Sequence, residues 1–388
     1  MKLLLIEDEI EFGETLKQLT EVNTEEDECI LYKPESWEKT IQTIEDVFEE
    51  IQGILIDYWL SGSTIKSLEA QSPEDEIRVK FRAAEVAQFV RSSASNYNKI
   101  DLNEDAISHE IPLFLISNDL SFFRRDQTSH DLFDAVFEKR DFTKSTTRKK
   151  TFEKIREFTE LYVEINKALP AIRAGGLDDV NNLFLSLLNF PKKISSVLTN
   201  SIFNIKASSL ITGLDISKFL YHDIISRNGI LMDARLLRIR LGVHESSEGW
   251  EHFKSELLSQ FKYQGFLGDI NERYWFLGLT DFWSNNISSE YPIQLLTPEQ
   301  RVKLILSKYE YSLIPIVMDN ENGITPWVYC SVTKVPLDQE FGLLIQESPE
   351  PFFWQDKLFI SKAAFKSGEY LSFEFTIDNS ELYKVEGD

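Results

Sequence analysis

Short apolar runs alternate with amphipathic stretches along the first 150 or so residues. Uncharged runs that end in acidic or polar residues are typical of strands buried on both faces of a parallel sheet. Between the runs, apolar residues recur every three or four positions, which is the spacing of an amphipathic helix. The pattern predicts strands over residues 3–6, 30–32, 53–57, 111–117 and 135–137, and helices over residues 11–21, 36–50 and 81–92.

Strands that alternate with helices in this way form a parallel sheet covered by helices on both faces. We therefore predict an α/β domain with a doubly wound, five-stranded parallel sheet. Residues 61–80 are polar and irregular, and they predict an insertion soon after Asp57.

The composition changes after this region. Residues 143–150 are polar and basic, and an apolar stripe then predicts a long connecting helix over residues 146–176. Two interpretations of the stripe remain open: it packs against a second domain, or it pairs with a second copy of the chain. It is too short to predict a coiled coil. The stripe consists of Phe152, Ile155, Phe158, Leu161, Tyr162 and Ile165.

The remaining residues, 177–388, predict a mostly α-helical domain with a small β region at the C-terminus. Helical periodicity extends over residues 177–198, 211–226, 234–241, 250–261 and 297–311. The predicted strands are residues 327–332, 358–360 and 370–377, and residues 320–323 predict a turn. The predicted domain order is thus 1–145, a connecting helix over 146–176, and 177–388.

Composition limits the classes of function. The chain has 388 residues, 42% of them hydrophobic, which excludes a globally disordered protein. Its formal net charge of −23 argues against a large nucleic-acid surface, because phosphate contacts need clustered Lys and Arg. The two cysteines provide no disulfide framework, and no stretch predicts a signal peptide or a membrane helix. These features predict a cytoplasmic protein that binds neither nucleic acid nor membranes.

Carboxylates and one lysine follow the predicted strands. Glu7 and Asp8 follow the first strand, Asp57 ends the third, Ser117 ends the fourth, and Lys139 comes after the last. In doubly wound folds, ligands bind at the carboxyl ends of the strands. Clustered carboxylates favour a hard cation such as Mg²⁺, and a lysine and a hydroxyl suit a phosphoryl group. Aspartate is also a nucleophile in phosphoryl transfer.

Four segments resemble, in order and spacing, the motifs of the receiver domain of bacterial response regulators, a CheY-like fold. They are LLIEDE at residues 4–9, ILIDYWLSG at 54–62, IPLFLIS at 111–117 and VFEK at 136–139. The resemblance covers about residues 1–145.

The resemblance implies a role for each matching residue. Asp57 would accept a phosphoryl group from a histidine kinase, while Ser117 and Lys139 contact its oxygens. Mg²⁺ would be bound by Asp8, Asp57 and the carbonyl of Trp59, with Glu7 acting through a water. In this family, the residues two positions beyond the acceptor and beyond the hydroxyl, here Trp59 and Asp119, tune how fast the phosphoryl group is lost.

Three positions differ from the family pattern. Arg140 replaces the proline that usually follows the lysine, and Asn118 replaces the small residue after the hydroxyl. The switch aromatic is shifted, because Val136 occupies its position and Phe137 is next to it. A pseudo-receiver that only docks partners therefore stays open beside an active phosphoacceptor.

The second half contains no recognisable catalytic motif or helix-turn-helix. His222 and Asp223 resemble part of the His-Asp set of a phosphohydrolase site, but the other histidines of such a site are missing, which favours a histidine on a helix surface. Arg235, Arg238 and Arg240 either form an anion or partner patch or make salt bridges along a packed helix.

We therefore predict a two-component response regulator without DNA-binding output. A narrower prediction is a phosphate sink that buffers the kinase in an anti-phage defence system. The alternatives are the pseudo-receiver and a regulator with an unrecognised C-terminal effector activity. The predicted partners are a histidine kinase and a downstream protein, with a homodimer as a further option.

Overall fold

The computed structural model describes residues 1–23, 27–66, 76–100, 109–118, 131–174, 177–189, 212–347, 350–373 and 376–386. These residues form two compact units. The first contains the described residues of Met1–Leu187 and Ser195–Lys218. The second contains those of Leu188–Ile194 and Phe219–Asp388.

The first unit is built on a five-stranded sheet in which every pairing is parallel, as the alternating pattern predicts. The strand order is β2-β1-β3-β6-β7. Strands β4 and β5 form a separate antiparallel pair and fall largely within the predicted insertion; residues 67–75 lie outside the described part. The strands are β1 (Lys2–Ile6), β2 (Glu28–Tyr32), β3 (Gly53–Asp57), β4 (Trp59–Lys66), β5 (Glu76–Arg82), β6 (Leu113–Ser117) and β7 (Ala135–Glu138).

Seven helices in the described part of this unit connect or cover these strands. Ser36 caps α2 by accepting a hydrogen bond from the Lys39 backbone N–H, as the N-cap preference for serine predicts. The helices are α1 (Ile10–Asn23), α2 (Trp37–Val47), α3 (Ala83–Ile100), α4 (Lys139–Thr143), α5 (Ser145–Arg173), α6 (Leu177–Leu188) and α7 (Gly213–Lys218).

Alternation along the strands divides the buried side chains between the two faces of the sheet. Leu4, Ile56 and Leu115 belong to one core cluster, which also includes Ile44 of α2 and Val86 of α3. Phe114, the neighbour of Leu115, points to the other face.

The apolar stripe of α5 packs against that other face of the sheet. The ring of Phe158 lies 5.8 Å from the ring of Phe114, and Phe152 contacts Phe142 of α4. Neither interpretation of the stripe included this packing, in which the parallel sheet of the same unit buries Phe158. Contacts with the sheet, such as that between Phe158 and Phe114, therefore fix the position of the long helix, and helical periodicity alone does not specify them.

The second unit combines short helices with small antiparallel sheets. Strand pairs β8–β9 and β10–β11 and the three strands β13-β12-β14 are all antiparallel. The strands are β8 (Leu231–Asp233), β9 (Arg273–Trp275), β10 (Val328–Tyr329), β11 (Pro336–Leu337), β12 (Leu343–Gln346), β13 (Phe359–Ile360) and β14 (Thr376–Ile377). The α-helices are α8 (Ala234–Arg240), α9 (Trp250–Phe253), α10 (Phe276–Phe282), α11 (Pro298–Leu306), α12 (Lys362–Lys366) and α13 (Tyr383–Glu386).

Several predicted elements of this unit are shorter than their patterns suggested. The predicted helix 250–261 continues from α9 as a π-helical turn over Lys254–Leu258 and a 3₁₀ turn over Ser259–Phe261. The predicted strand 370–377 contains a 3₁₀ turn over Glu369–Phe373 before β14. The pair β8–β9 was not predicted, since three residues are too few to show a period. No described helix is long and apolar enough to cross a membrane.

Candidate functional site

The predicted site residues lie together at one edge of the parallel sheet. Glu7 and Asp8 directly follow β1, Asp57 is the last residue of β3, and Ser117 is the last residue of β6. The register pairs Ile6 with Ile56, Asp57 with Ile116 and Ser117 with Glu138. Lys139, the first residue of α4, follows Glu138 at the same edge.

Three carboxylates converge there. Glu7, Asp8 and Asp57 each provide one oxygen, and these three oxygens lie within 4.8 Å of one another. Glu7 and Asp57 are buried, while Asp8 is partly exposed. The Glu9 backbone N–H donates to Glu7 Oε1 at 3.0 Å, and the Tyr58 N–H donates to Asp57 Oδ1 at 2.9 Å. Backbone donors thus orient both buried carboxylates.

The buried side chain of Lys139 lies among these acids. Its Nζ is 2.9 Å from Glu7 Oε1, 3.2 Å from Asp57 Oδ2 and 3.3 Å from Glu9 Oε2. The same ammonium lies 4.9 Å from the centre of the Phe12 ring, at cation–π distance. No motif in the sequence marks Glu9 or Phe12 as a site residue, although the run of three acids at residues 7–9 is a signal for Glu9.

Burial changes the protonation of the acids. It raises the pKa of Glu7 to about 7, with a further increase from the Asp57 charge and a partial offset from Lys139. Burial likewise raises the pKa of Asp57 to about 6 against the opposing effect of Lys139. For Lys139, burial lowers the pKa, but Asp57 and Glu7 act in the opposite direction and the net shift is upward. Glu7 and Asp57 therefore change protonation state near neutral pH, while Lys139 stays charged.

The donor set suits a small hard cation. Mg²⁺ takes oxygen ligands and is usually held in proteins by one or two carboxylates and several waters. Glu7 Oε2 is buried and has no hydrogen-bond partner in the described structure. A buried carboxylate oxygen without a donor is costly, and a cation would satisfy it. Glu7, Asp8 and Asp57 are thus a candidate metal site.

The remaining predicted positions surround this cluster. Ser117 is buried at the end of β6, and Trp59 begins β4 with 43% of its surface exposed. The ring of Trp59 lies 5.0 Å from the ring of buried Tyr58. Asn118 is exposed, and Asp119 lies outside the described residues.

Two of the three departures from the receiver pattern have a defined local setting in the structure. Arg140 forms an ion pair with Glu138 beside the site. Val136 packs on the face that holds α2 and α3, whereas Phe137 packs against Phe114 on the opposite face. The aromatic side chain of Phe137, two residues before Lys139, is therefore buried against the sheet.

The residues singled out in the second unit lie in a different setting. The backbone carbonyl of Asp223 accepts hydrogen bonds from Trp354 Nε1 and Gln355 Nε2. Arg240 is buried and forms an ion pair at 2.7 Å with Asp356, which lies outside the helix of Arg240. Arg235 and Arg238 line a cavity.

Comparison with known proteins adds no assignment. The chain matches no protein-family model, and no curated protein is significantly similar to it.

Proposed function

We propose that the first unit is a receiver that accepts a phosphoryl group on Asp57 from a phosphohistidine of a kinase. The observation that supports this proposal is the position of Lys139, with Nζ 3.2 Å from Asp57 Oδ2 at the edge where Glu7, Asp8 and Asp57 meet. The strand order of the sheet is also the order of flavodoxin-like folds, in which ligands bind at this edge.

The chemistry is a phosphoryl transfer between two side chains. A carboxylate oxygen of Asp57 attacks phosphorus, so that a P–O bond forms and the P–N bond of phosphohistidine breaks. The imidazole nitrogen keeps the electron pair and takes up a proton. Lys139 provides positive charge where the phosphoryl oxygens would lie, and fixed charges of this kind stabilise the transition state. Bound Mg²⁺, held by Glu7, Asp8 and Asp57, would neutralise further phosphoryl charge.

Asp57 must be ionised to act as the nucleophile. Its pKa of about 6 leaves it mostly ionised at neutral pH. The Tyr58 N–H at Oδ1 and Lys139 at Oδ2 hold the carboxylate in a defined orientation. Orientation of the attacking group lowers the activation barrier, because less freedom is lost in reaching the transition state.

The test uses a small-molecule phosphodonor, so that no kinase has to be identified. The full-length protein is incubated with acetyl phosphate with and without Mg²⁺, and intact-protein mass spectrometry counts the phosphoryl groups. We expect one Mg²⁺-dependent phosphoryl group that hydroxylamine removes, since hydroxylamine cleaves acyl phosphates. Asp57→Asn should abolish it, whereas Asp46→Asn, which changes an exposed acid on α2, should retain it. Equal labelling of the Asp57→Asn protein would contradict the proposal.

The pseudo-receiver is a second candidate, favoured by one observation. Lys139 already forms ion pairs with Glu7, Glu9 and Asp57, so these charges are partly balanced without a ligand. A pseudo-receiver would remain unlabelled by acetyl phosphate and would show no Mg²⁺ binding at millimolar concentration. The same experiment therefore separates the two candidates.

A further inference from the structure

A cavity of about 300 Å³ lies within the second unit and has a strongly basic lining. Arg235 and Arg238 of α8 contribute to it, together with Lys334 from the turn between β10 and β11. Its volume is at the lower end of the range of small-molecule sites. The cavity is therefore large enough for a ligand of a few to about a dozen non-hydrogen atoms.

The cations of this cavity are poorly neutralised, although the whole chain has a net charge of −23. Among the described residues, neither Arg235 nor Lys334 has a carboxylate within ion-pair distance. Arg238 has one such partner, Glu245, at 3.4 Å, and Glu245 is itself largely exposed. With His244 neutral, three cations and one carboxylate give the lining two net positive charges. A dianion would balance them.

The cations are held in place by one aromatic ring. The Arg235 guanidinium lies 5.8 Å from the centre of the Tyr329 ring, and Lys334 Nζ lies 5.4 Å from the same centre. The Tyr329 hydroxyl donates to Asp233 Oδ2 at 2.8 Å and accepts from Asn228 Nδ2 at 2.9 Å. The ring is thus fixed at its polar end, and both cations lie within cation–π distance of it.

Local backbone geometry also restrains Lys334. Its φ of 62° lies in the left-handed region, which residues with a side chain rarely adopt. Its Nζ donates to the Ser331 carbonyl at 2.6 Å, and its backbone N–H donates to the Cys330 carbonyl at 2.9 Å. The turn therefore restrains the ammonium of this exposed lysine beside the cavity.

Arg238 is the most buried of the three cations, with 15% of its side chain exposed. Burial lowers its pKa, and so does the nearby charge of Arg235, while Glu245 acts in the opposite direction. The Arg235 and Arg238 guanidinium groups repel each other, and a bound anion would reduce this repulsion. Guanidinium groups bind phosphate oxygens through paired, charge-assisted hydrogen bonds.

His244 adds a further donor to the lining. Its Nδ1 accepts a hydrogen bond from the Ser246 backbone N–H at 3.2 Å, which leaves Nε2 as the donating ring nitrogen. An N–H donor beside two arginines and a lysine suits a ligand with several acceptor oxygens. The carboxylate of Glu245 can also take part if the ligand has a hydroxyl group.

The rest of the lining is aliphatic. Ile239, Val243 and Ile316 form apolar wall, and Val317 and Val335 lie exposed at its edge. Covering exposed aliphatic side chains with an apolar group removes them from water and thereby strengthens binding. The cavity thus joins a dianion site to an apolar surface.

We propose that this cavity binds a small phosphate monoester with an apolar body. Such an ester has nearly two negative charges at neutral pH and three acceptor oxygens, which match the two net positive charges of the lining. Its organic part would lie against the aliphatic wall. This site is separate from the acidic site of the first unit in both residues and charge.

The test compares three probes by isothermal titration calorimetry: phenyl phosphate, inorganic phosphate and phenol. The buffer is freed of divalent cations with a chelating resin, so that the acidic site around Asp57 repels anions. We expect phenyl phosphate to bind at least tenfold more tightly than inorganic phosphate, and phenol to show no binding. No heat from phenyl phosphate at millimolar concentration would overturn the proposal, and equal affinity for phenyl and inorganic phosphate would overturn the apolar part of it.

Charge-removing variants locate the site. Arg235→Gln and Lys334→Gln change exposed side chains, and together they should weaken phenyl phosphate binding at least tenfold without lowering the Tm of the free protein. Lys308→Gln removes an exposed charge just after α11, outside the cavity lining, and should leave the affinity unchanged. If Lys308→Gln weakens binding as much as Lys334→Gln, the attraction is non-specific and the proposal is wrong.

Discussion

Lys139 Nζ lies 3.2 Å from Asp57 Oδ2, although the two residues belong to distant parts of the chain. The lysine is 4% exposed, and the same ammonium contacts Glu7 Oε1 at 2.9 Å. One buried cation thus serves two buried carboxylates. This relationship sets the stability, the pH response and the proposed chemistry of the site.

Removing the lysine charge should destabilise the protein. In Lys139→Met, Glu7 and Asp57 lose their shared cation, and breaking a buried ion pair costs about 3–5 kcal/mol. We expect a decrease of about 3 kcal/mol in the free energy of unfolding, measured with urea at pH 7.5. Lys39→Met is the control, because Lys39 pairs with Glu35 on the surface and exposed pairs contribute about 0–1 kcal/mol. Equal effects of the two substitutions would contradict this account.

Neutralising the acceptor should have the opposite effect. Folding raises the pKa of Asp57 to about 6, which means that the folded protein disfavours the ionised carboxylate. The free energy of unfolding therefore decreases as the pH rises from about 4 to 6. Asp57→Asn should therefore stabilise the protein by about 1–3 kcal/mol at pH 7.5. The gain should disappear near pH 4, where the wild-type carboxyl is protonated. A gain that does not change with pH would argue against the raised pKa.

Mg²⁺ binding should require Asp8 and should weaken at low pH. Protons compete with the metal for Glu7 and Asp57, whose pKa values are about 7 and 6. Titration of Mg²⁺ against tryptophan fluorescence should show binding at pH 7.5, weaker binding at pH 6 and none in Asp8→Asn. Trp59→Phe identifies the contribution of Trp59 to the signal. An unchanged response in Asp8→Asn would contradict the metal site.

The lifetime of the phosphoryl group should depend on Trp59. Its indole follows the acceptor by two residues and should obstruct the water that attacks phosphorus, which must approach to about 3–3.5 Å in line. We expect Trp59→Asn to accelerate loss of label about tenfold, a change of about 1.4 kcal/mol in the barrier. Loss of label is followed by mass spectrometry after the phosphodonor is removed. The hypothesis of a phosphate store loses its chemical basis if the wild-type protein loses its phosphoryl label within seconds. It loses it equally if Trp59→Asn leaves the half-life of the label unchanged.

A buried carboxylate outside the candidate site, Asp134, should matter for stability alone. Asp134 is fully buried and accepts hydrogen bonds from Arg91 and the Leu113 N–H through Oδ2, and from Tyr162 and Ser217 through Oδ1. Asp134→Ala would leave Arg91 without its counter-ion and should cost about 3–5 kcal/mol in urea unfolding.

The control for this substitution is close in sequence. Asp131 pairs with Lys218 but has 88% of its side chain exposed, so Asp131→Ala should change stability by less than about 1 kcal/mol. If Asp131→Ala is as costly as Asp134→Ala, burial does not explain the effect.

The sequence by itself determined the parallel sheet and the place of its acidic residues. Uncharged runs such as residues 3–6 and 53–56 reveal strands through local composition, and the alternation with helices specifies parallel pairing. The carboxyl ends of such strands meet at one edge, so Glu7, Asp8, Asp57 and Lys139 were expected near one another. These inferences need only short-range patterns along the chain.

Only the tertiary structure decided which side chains meet. It placed Lys139 against Glu9 and Phe12 and packed Phe158 on Phe114, because such contacts join segments that are distant in sequence. It also brought Arg235 to within 5.8 Å of the centre of the Tyr329 ring, to which Lys334 is close as well, and no local period predicts this. Burial then raised the pKa values of Glu7 and Asp57, since desolvation depends on everything that surrounds a charge rather than on its neighbours in the chain.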